Sequence, residues 1–345
     1  MRALVVSNML PDAAHPERGR FVRDQVAALR QLDDARGAQP MDEAHDGAPA
    51  AQHDALEVEL FEFAPGGRQL ARAAAHMRRR FVRRGADRAL SARFDIVHAH
   101  FGLTAWPALA IPARVHALTV HGTDLRHPRT RIATAAVLPL IDLVAAVSQA
   151  LVQELPGRTA QRRAEVLPCG VDVERFRALD RARARAELGL DPDRPILLFP
   201  ADPARASKRY DRALSLAQAV EAQLCTLGGV EPERVPLWVN AANAVLVPSE
   251  REGFGLAVLE ALACDVPVLA TPVGIHADAL AGVDGALCAP FELASWRAAL
   301  EQHLRAHDPR VQGRSSALRY SAHAMAERVA ASWRRALARS VHPAG

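Results

Sequence analysis

The stretch Ala244-Val-Leu-Val-Pro248, continued by Ser249-Glu-Arg-Glu-Gly-Phe-Gly-Leu-Ala-Val-Leu-Glu260, decides how this chain folds. Its first residues form a short apolar run that predicts a buried strand, and the segment from Gly255 to Ala263 predicts a helix. Glycines therefore occupy the loop between strand and helix. Such a loop is suited to phosphate, because glycine lets the backbone approach a ligand and the unpaired N–H groups at a helix start favour an anion.

The same alternation of short apolar runs and helical patterns extends through the chain. The runs are Ala3–Ser7 before the helix Arg20–Leu32, Asp95–His100, Ala117–Val120, Leu143–Val147 before Gln149–Leu155, Pro195–Phe199, Pro267–Thr271, and Gly285–Cys288 before Leu293–Leu304. Strands that are apolar throughout and separated by helices indicate parallel sheets covered on both faces. With 345 residues the chain is long enough for two such domains.

The pattern predicts where the chain divides. We expect a first domain over residues 1–175, a second over 176–320, and a final helix with its tail over 321–345. A hinge is expected around Pro168–Phe176, between the two sets of strands. Residues 36–54 have no apolar period and are predicted to form a mobile surface insertion. The final helix carries Met325, Val329, Trp333 and Leu337 at four-residue spacing, so one stripe of it should be buried.

Composition narrows the function classes. Half of the residues are hydrophobic, the net charge is +4, and no apolar run approaches the ~20 residues that span a bilayer. The four cysteines lack the spacing of a metal site or disulfide framework, so a cytoplasmic location is expected. Lys208 is the only lysine among 43 basic residues. A sole lysine in an arginine-rich chain suggests a site that needs a compact point charge, although chance survival is the alternative.

Two glutamates flank the glycine-rich loop. Glu252 lies in the loop, and Glu260 lies two turns into the helix, about 12 Å further along at ~1.5 Å per residue. Carboxylates accept hydrogen bonds from sugar and ribose hydroxyls, so one nucleotide-sugar could contact both. The alternative is structural, with Glu260 on a solvated face and Glu252 stabilising the helix start.

The spacing Glu252-x7-Glu260 in this setting resembles the family 4 retaining glycosyltransferases of GT-B fold. The resemblance continues through Ala263–Gly274 and back into Val235–Asn243. It implies two facing Rossmann-like domains, with the C-terminal helix crossing back to the N-terminal one. It also implies that Glu252 meets the transferred sugar and Glu260 the ribose, with Gly253, Phe254, Gly255 and Leu256 completing the donor loop.

A second donor segment is Arg205-Ala-Ser-Lys208. Family members usually carry Gly-Arg with a lysine five residues later, whereas here the arginine precedes the lysine by only three residues. This form resembles the branch that makes teichuronic acid. The resemblance implies that Lys208 and Arg205 neutralise the donor diphosphate. The segment 201–240 is short for this domain, and we expect donor binding to fail if the shortening damages the sheet.

Further residues are assigned by the resemblance to the N-terminal domain. His121, in His121-Gly-Thr-Asp124, would contact the transferred sugar, while Asp124 would orient the loop or a sugar hydroxyl. His100 would lie near the acceptor, and Gly19 and Arg23 would belong to a loop over the acceptor and donor phosphates. A structural histidine or an ordinary turn is the alternative at each position.

The neighbouring pair His98 and His100 raises a metal alternative. Alternation along a strand puts both imidazoles on one face, as Zn²⁺ ligands require, but no third ligand is evident in the sequence. We therefore expect no metal site.

The predicted function is metal-independent transfer of a sugar, with retention of configuration, from a UDP- or GDP-linked donor to a glycan or lipid-linked acceptor in cell-surface polysaccharide or glycoconjugate synthesis. No organic cofactor or nucleic-acid partner is expected. The arginine-rich pattern in Gln69–Leu90 could contact anionic membrane at the inner face of the cell membrane, or be a solvated face. The alternatives are a sugar-nucleotide epimerase of the same fold, a catalytically impaired binding protein, and a phosphorylase, for which Lys208 would have to hold pyridoxal phosphate.

Overall fold

Two parallel sheets, one in each half of the chain, organise the structure, which is a computed structural model that describes residues 1–13, 15, 17–37, 55–82 and 94–341. The chain divides into two compact units. The first unit comprises Met1–Pro11, Arg18–Pro168 and Met325–Gly345, and the second comprises Asp12–Glu17 and Cys169–Ala324. The change of unit at Pro168 lies at the start of the predicted hinge, whose movement stays a prediction.

The described residues of the first unit form a sheet of six parallel strands in the order β2-β1-β3-β4-β5-β6. They are β1 (Arg2–Ser7), β2 (Glu57–Glu62), β3 (Phe94–His100), β4 (Ala113–Val120), β5 (Leu143–Ala146) and β6 (Glu165–Val166). The helices between them are α1 (Arg20–Gly37), α2 (Gly67–Phe81), α3 (Gly102–Ala108), α4 (Thr123–Arg126), α5 (Pro128–Val137), α6 (Gln149–Glu154) and α7 (Arg158–Arg163), with a 3₁₀ turn at Leu138–Leu140. Central strands such as Ala3–Val6 are buried, as a sheet covered on both faces requires.

The second unit contains five parallel strands in the order β11-β10-β9-β7-β8. They are β7 (Ile196–Phe199), β8 (Gln223–Thr226), β9 (Ala244–Val247), β10 (Val268–Ala270) and β11 (Leu287–Cys288). The helices are α8 (Arg181–Leu188), α9 (Tyr210–Ala219), α10 (Val235–Ala241), α11 (Leu256–Ala263), α12 (His276–Leu280), α13 (Leu293–Arg305) and α14 (Arg314–Leu318), with 3₁₀ turns at Ala206–Lys208 and Pro232–Arg234. The predicted pair of Rossmann-like parallel sheets is confirmed.

The sequence pattern missed three strands, and all of them lie at a sheet edge. β6 consists of only Glu165 and Val166, too short to form an apolar run. β2 reads Glu-Val-Glu-Leu-Phe-Glu and is only partly buried, so its polar side chains conceal it in a search for apolar runs. β8 belongs to the shortened segment 201–240. It nevertheless pairs with all four residues of β7, from Ile196 with Gln223 to Phe199 with Thr226. The sheet thus extends to β8 despite the short segment.

The predicted insertion at 36–54 is only partly described. Arg36 and Gly37 form the end of α1, and residues 38–54 lie outside the described residues. The arginine-rich pattern corresponds to α2 up to Phe81, and its continuation from residue 83 to residue 93 also lies outside them.

The final helix, α15 (Ala322–Val341), joins the first unit from Met325 onward. Met325, Val329 and Trp333 of the predicted stripe are buried, whereas Leu337 is partly exposed. The Trp333 indole N–H donates to His98 Nδ1 at 3.0 Å. Both side chains are buried, so this bond ties the helix to the interior of the first sheet.

We expect Trp333→Phe to lower the free energy of unfolding by about 1–3 kcal/mol, because the buried His98 Nδ1 would lose its hydrogen-bond donor. Denaturant unfolding measures the change. Trp106→Phe is the matched control. The Trp106 indole also donates a hydrogen bond, in this case to the Ala133 carbonyl, but the side chain is 41% exposed, so water can replace the bond. Equal losses in both variants would contradict the role assigned to Trp333.

Candidate functional site

The strand order of the second unit determines where its ligand site should lie. The order reverses between β7 and β9, and open α/β sheets bind ligands beyond the carboxyl ends of the strands at such a switch point. Lys208 follows β7, and Ser249 to Glu252 follow β9. The Glu250 N–H donates to the Ser207 carbonyl at 3.0 Å, which joins the two loops. Topology and loop pairing therefore bring the predicted lysine and glutamate together.

Lys208 and Glu252 form a close ion pair. Lys208 Nζ lies 2.6 Å from Oε1 and 2.7 Å from Oε2 of Glu252. Their side chains are only 16% and 9% exposed. The buried Ser249 hydroxyl also donates to Glu252 Oε1, at 2.8 Å. Burial alone would raise the pKa of Glu252, but the Lys208 ammonium and the Ser249 hydroxyl outweigh it and hold the pKa below its usual range. Glu252 is therefore a carboxylate at neutral pH.

The amino terminus of α11 borders this ion pair. Gly255 precedes the helix with a φ of 114°, a conformation that favours glycine. The next residues, Leu256 and Ala257, are partly exposed, so their backbone N–H groups start the helix near solvent. Phe254 is buried, and its ring lies 6.1 Å from that of Tyr320. The loop can present helix N–H groups to an anion beside an ammonium group.

A short segment after β10 supports the donor loop. The Ile275 N–H donates to the Phe254 carbonyl at 2.9 Å. A Cβ added to Gly274 would lie 2.2 Å from that carbonyl oxygen, and one added to Gly255 would lie 2.4 Å from His276 Nε2. Sequence reasoning missed Ser249 and His276 as parts of this arrangement, because nothing in their local pattern marks them.

The remaining donor candidates are less constrained. Glu260 is partly exposed on α11, and Gly253 is partly exposed in the loop. Arg205 has an exposed side chain, and its carbonyl accepts the Lys208 N–H at 2.8 Å, which closes the turn that carries the lysine. The structure thus brings Lys208 to Glu252, while the ligand contacts of the other three stay predictions.

In the first unit, three histidines form a stacked row. The rings of His98 and His100 are 5.0 Å apart, and those of His100 and His121 are 5.1 Å apart. His100 Nδ1 and His121 Nε2 share a hydrogen bond of 2.9 Å. Burial lowers the pKa of His98 and of His121 to about 3, so the imidazoles are neutral at physiological pH. Neutral imidazoles can donate and accept hydrogen bonds to sugar hydroxyls.

Aromatic rings enclose His121. Phe21 and Phe101 lie 4.8 Å and 4.7 Å from it, measured between ring centroids. Phe101 has a φ of 74°, which is unusual for a bulky residue. Neither phenylalanine was predicted as a site residue, and no sequence signal indicates a positive φ at Phe101.

Asp124 organises the loop around His121. Its buried carboxylate accepts the N–H groups of His121 at 3.1 Å, Gly122 at 2.8 Å and Gly102 at 3.3 Å. Burial raises the pKa of Asp124 to about 6, although these N–H groups act in the opposite direction. This geometry supports the predicted role of Asp124 in orienting the loop.

The pH dependence of stability tests Asp124. Its pKa is raised from 3.8 to about 6, so its contribution is fully present below pH 3.8 and is lost as the pH rises to about 6, a change of roughly 3 kcal/mol. His98 and His121 have lowered pKa values and act oppositely, since they stabilise the fold as pH rises towards 6.5. We therefore expect the free energy of unfolding of Asp124→Asn to rise more steeply between pH 4 and 6 than that of the wild type. Parallel curves would show that Asp124 does not take up a proton in this range.

The loop after β1 holds the candidates Gly19 and Arg23. Gly19 is buried with a φ of 71°, and an added Cβ would lie 2.4 Å from the Met9 carbonyl oxygen. Arg23 donates to the Arg18 carbonyl. Glu62, which the sequence did not mark, has a buried Oε1 that forms no hydrogen bond within the part of the chain that the structure describes, and burial raises the pKa of Glu62. Gly19 is therefore required for close packing of the loop, and acceptor contact stays a prediction.

No group of three histidine, cysteine, aspartate or glutamate side chains within the described residues has an arrangement that could hold a metal ion. In the same part of the chain, none of the helices combines the length and the apolar character needed to cross a membrane.

Comparison with known proteins gives a consistent result for both units. The family described as "Glycosyl transferases group 1" matches residues 180–317, and "Glycosyltransferase Family 4" matches residues 21–175. The D-inositol 3-phosphate glycosyltransferase of Frankia alni is 29% identical over 273 residues, which cover 61% of this chain and 66% of that protein. The enzyme of the same name from Segniliparus rotundus is 30% identical over 301 residues, covering 71% of this chain and 67% of that protein. The chain thus spans about two thirds of the length of these relatives.

Among solved structures, Anabaena HepE in complex with UDP and glucose is similar with a TM-score of 0.65, 15% identity, and coverage of 97% of this chain and 100% of that one. At this identity the likeness concerns the fold, which is that of GT-B glycosyltransferases.

Proposed function

This chain belongs to the family 4 glycosyltransferases, and from that premise we propose that it transfers a sugar from a nucleotide-diphosphate sugar to a glycan or lipid-linked acceptor with retention of anomeric configuration. The observation that carries the proposal is the Lys208–Glu252 pair beside the amino terminus of α11, at the switch point of the second sheet. A nucleotide-diphosphate sugar matches this site, because it has an anion for the ammonium and helix N–H groups and hydroxyls for the carboxylate.

The proposed reaction breaks the bond between the anomeric carbon and the diphosphate oxygen and forms one between that carbon and the acceptor oxygen. The leaving diphosphate gains negative charge, which Lys208, Arg205 and the N–H groups at the start of α11 would stabilise. The acceptor attacks from the face of the leaving group, and its hydroxyl proton passes to a phosphate oxygen. No carboxylate acts as nucleophile in this scheme, and no divalent cation is needed.

Glu252 is assigned to the hydroxyls of the transferred sugar. In the resting pair both of its oxygens are engaged by Lys208, so the ammonium must be shared with the incoming diphosphate. His121 of the first unit is assigned to sugar recognition, since its neutral imidazole is enclosed by aromatic rings, as sugar-binding sites often require. Glu260 is assigned to the ribose.

The acceptor is proposed as a glycan or lipid-linked saccharide of cell-surface synthesis, in line with the resemblance of the Arg205 segment to the teichuronic-acid branch. The relatives named for D-inositol 3-phosphate add a phosphorylated cyclitol as a second acceptor to assay.

The proposed contact with an anionic membrane surface relies on charge. The apolar residues Ala73 and Met77 of α2 are buried in the first unit, while Arg78, Arg79 and Arg80 are exposed. This leaves arginines rather than an apolar face for an anionic surface, which favours weak, salt-sensitive attachment at the cytoplasmic side.

The activity assay combines a nucleotide-sugar with and without acceptor, in buffer containing EDTA. We expect acceptor-dependent release of nucleoside diphosphate that EDTA does not abolish, and a product whose anomeric configuration by NMR equals that of the donor. Conversion of the donor without acceptor would indicate the epimerase instead, and binding without turnover would indicate an impaired binding protein.

A further inference from the structure

His276 is a completely buried histidine that the proposed reaction does not use. It is the first residue of α12, and its relative exposure is 0%. Its Nδ1 lies 2.8 Å from the Thr271 carbonyl oxygen. A carbonyl oxygen can only accept, so Nδ1 carries the proton and Nε2 presents a bare lone pair. Nε2 is buried, and no atom of the described residues forms a hydrogen bond with it. A buried hydrogen-bond acceptor without a partner lowers the free energy of unfolding, so the position of Nε2 needs another physical reason.

The explanation lies in what the imidazole touches. Nε2 occupies the space next to Gly255 where a side chain would begin, since an added Cβ would lie 2.4 Å from Nε2 and 2.5 Å from Cδ2. The ring thus fills the side of Gly255 that its missing side chain leaves open. Gly255 in turn has the φ of 114° that sets the direction of the first N–H groups of α11.

The ring is itself held in place by the end of β10. Thr271 accepts from His276 through its carbonyl, donates its N–H to the Val247 carbonyl at 3.2 Å, and donates its hydroxyl to the Ser249 carbonyl. Ser249 is the residue that donates to Glu252. His276 is therefore linked through Thr271 and Ser249 to Glu252, and its ring contacts Gly255 directly.

We propose that His276 is a positioning residue of the donor site, whose imidazole holds Gly255 and thereby aims the backbone N–H groups at the start of α11 towards the donor diphosphate. The inference rests on the proposed function, since it assumes that this loop binds a nucleotide diphosphate. His276 does not contact the ligand, because its free nitrogen faces Gly255.

The test is the affinity for UDP and GDP of wild type and variants, measured by calorimetry at a temperature at which each protein is folded. His276→Ala should weaken binding at least tenfold. His276→Asn should weaken it similarly, since the asparagine amide can replace Nδ1 in the bond to Thr271 but leaves the space beside Gly255 empty. Full affinity in His276→Asn with loss in His276→Ala would assign the effect to the Thr271 bond and overturn the proposal.

His303→Ala is the matched control. His303 is also buried, and its Nε2 lies 2.7 Å from the carbonyl oxygen of Gly285, a glycine with positive φ that the ring contacts. His303 belongs to α13, however, and not to the donor loop. The His303→Ala variant should be less stable than wild type, as His276→Ala is, but should keep the nucleotide affinity of the wild type. Equal loss of affinity in both would show that His276 acts only through stability.

A double variant supplies a second readout. Gly255→Ala alone should weaken binding by about 100-fold, a loss that calorimetry can still measure, because the new Cβ meets the imidazole. In the His276→Ala background the ring is gone, so the additional loss caused by Gly255→Ala should shrink by about tenfold or more. Additive losses would contradict the contact. If wild type binds neither UDP nor GDP, the proposed nucleotide site fails; if wild type binds and His276→Ala binds equally well, only the role of His276 fails.

Discussion

Lys208→Arg is expected to lower kcat/KM by about 100-fold although the charge is kept, equivalent to ~2.7 kcal/mol of transition-state stabilisation. The ammonium sits within 2.7 Å of both Glu252 oxygens, and its side chain is only 16% exposed. A guanidinium is larger and planar and pairs with a carboxylate through two parallel bonds. It would hold Glu252 more firmly and spread its charge away from the position that Nζ occupies. Both effects oppose the release of Glu252 to the sugar and the stabilisation of the leaving diphosphate.

The matched control for Lys208→Arg is Arg209→Lys, the reverse exchange at the next position. Arg209 pairs with Asp211 and Glu250 at the protein surface, so its replacement should leave kcat/KM within about twofold of wild type. Steady-state donor turnover measures both variants. Near-wild-type rates in Lys208→Arg would show that the only lysine of the chain is incidental.

Glu260→Ala is expected to weaken nucleotide binding by about 10- to 100-fold, the range that corresponds to 1.5–3 kcal/mol for a hydrogen bond to a charged group. Glu260 lies on α11, five residues beyond Gly255, and is partly exposed. If its carboxylate binds the ribose hydroxyls, the loss should be seen with UDP or GDP alone, without a sugar attached.

Calorimetry with UDP and GDP separates this role from a structural one. Glu187→Ala is the control, because Glu187 is also a helical glutamate but is exposed and lies on α8, where it pairs with Arg183. Its replacement should leave affinity unchanged. An unchanged affinity in Glu260→Ala as well would remove the ribose assignment while leaving the diphosphate site intact.

The sequence predicted those features that repeat or that follow from backbone chemistry. Apolar runs such as Ala3–Ser7 mark central strands because both of their faces are buried. The glycines before α11 predicted a loop between strand and helix, and Gly255 there has the φ of 114° that favours glycine. Because lysine is rare in this chain, Lys208 was predicted as a site residue, and the structure shows its ammonium bonded to Glu252.

Features that depend on contacts distant in sequence were beyond such reasoning. The edge strands β2 and β8 lack the apolar signature, and they are recognised only by their pairing with β1 and β7. His276 lies 21 residues after Gly255, and no local pattern reveals that its ring fills the space beside that glycine. The raised pKa of Asp124 likewise comes from burial, and the sequence of the four residues His121 to Asp124 does not indicate that burial.

The most direct measurement is a thermal-shift screen of nucleotide-diphosphate sugars linked to UDP or GDP. One such donor, at about 100 times its dissociation constant, should stabilise the wild type by roughly 2.7 kcal/mol. The same donor should leave Lys208→Ala unshifted, with that variant verified as folded. Failure of every nucleotide-diphosphate sugar and of free UDP and GDP to stabilise the folded wild type would contradict the claim that the second unit binds a nucleotide-sugar donor.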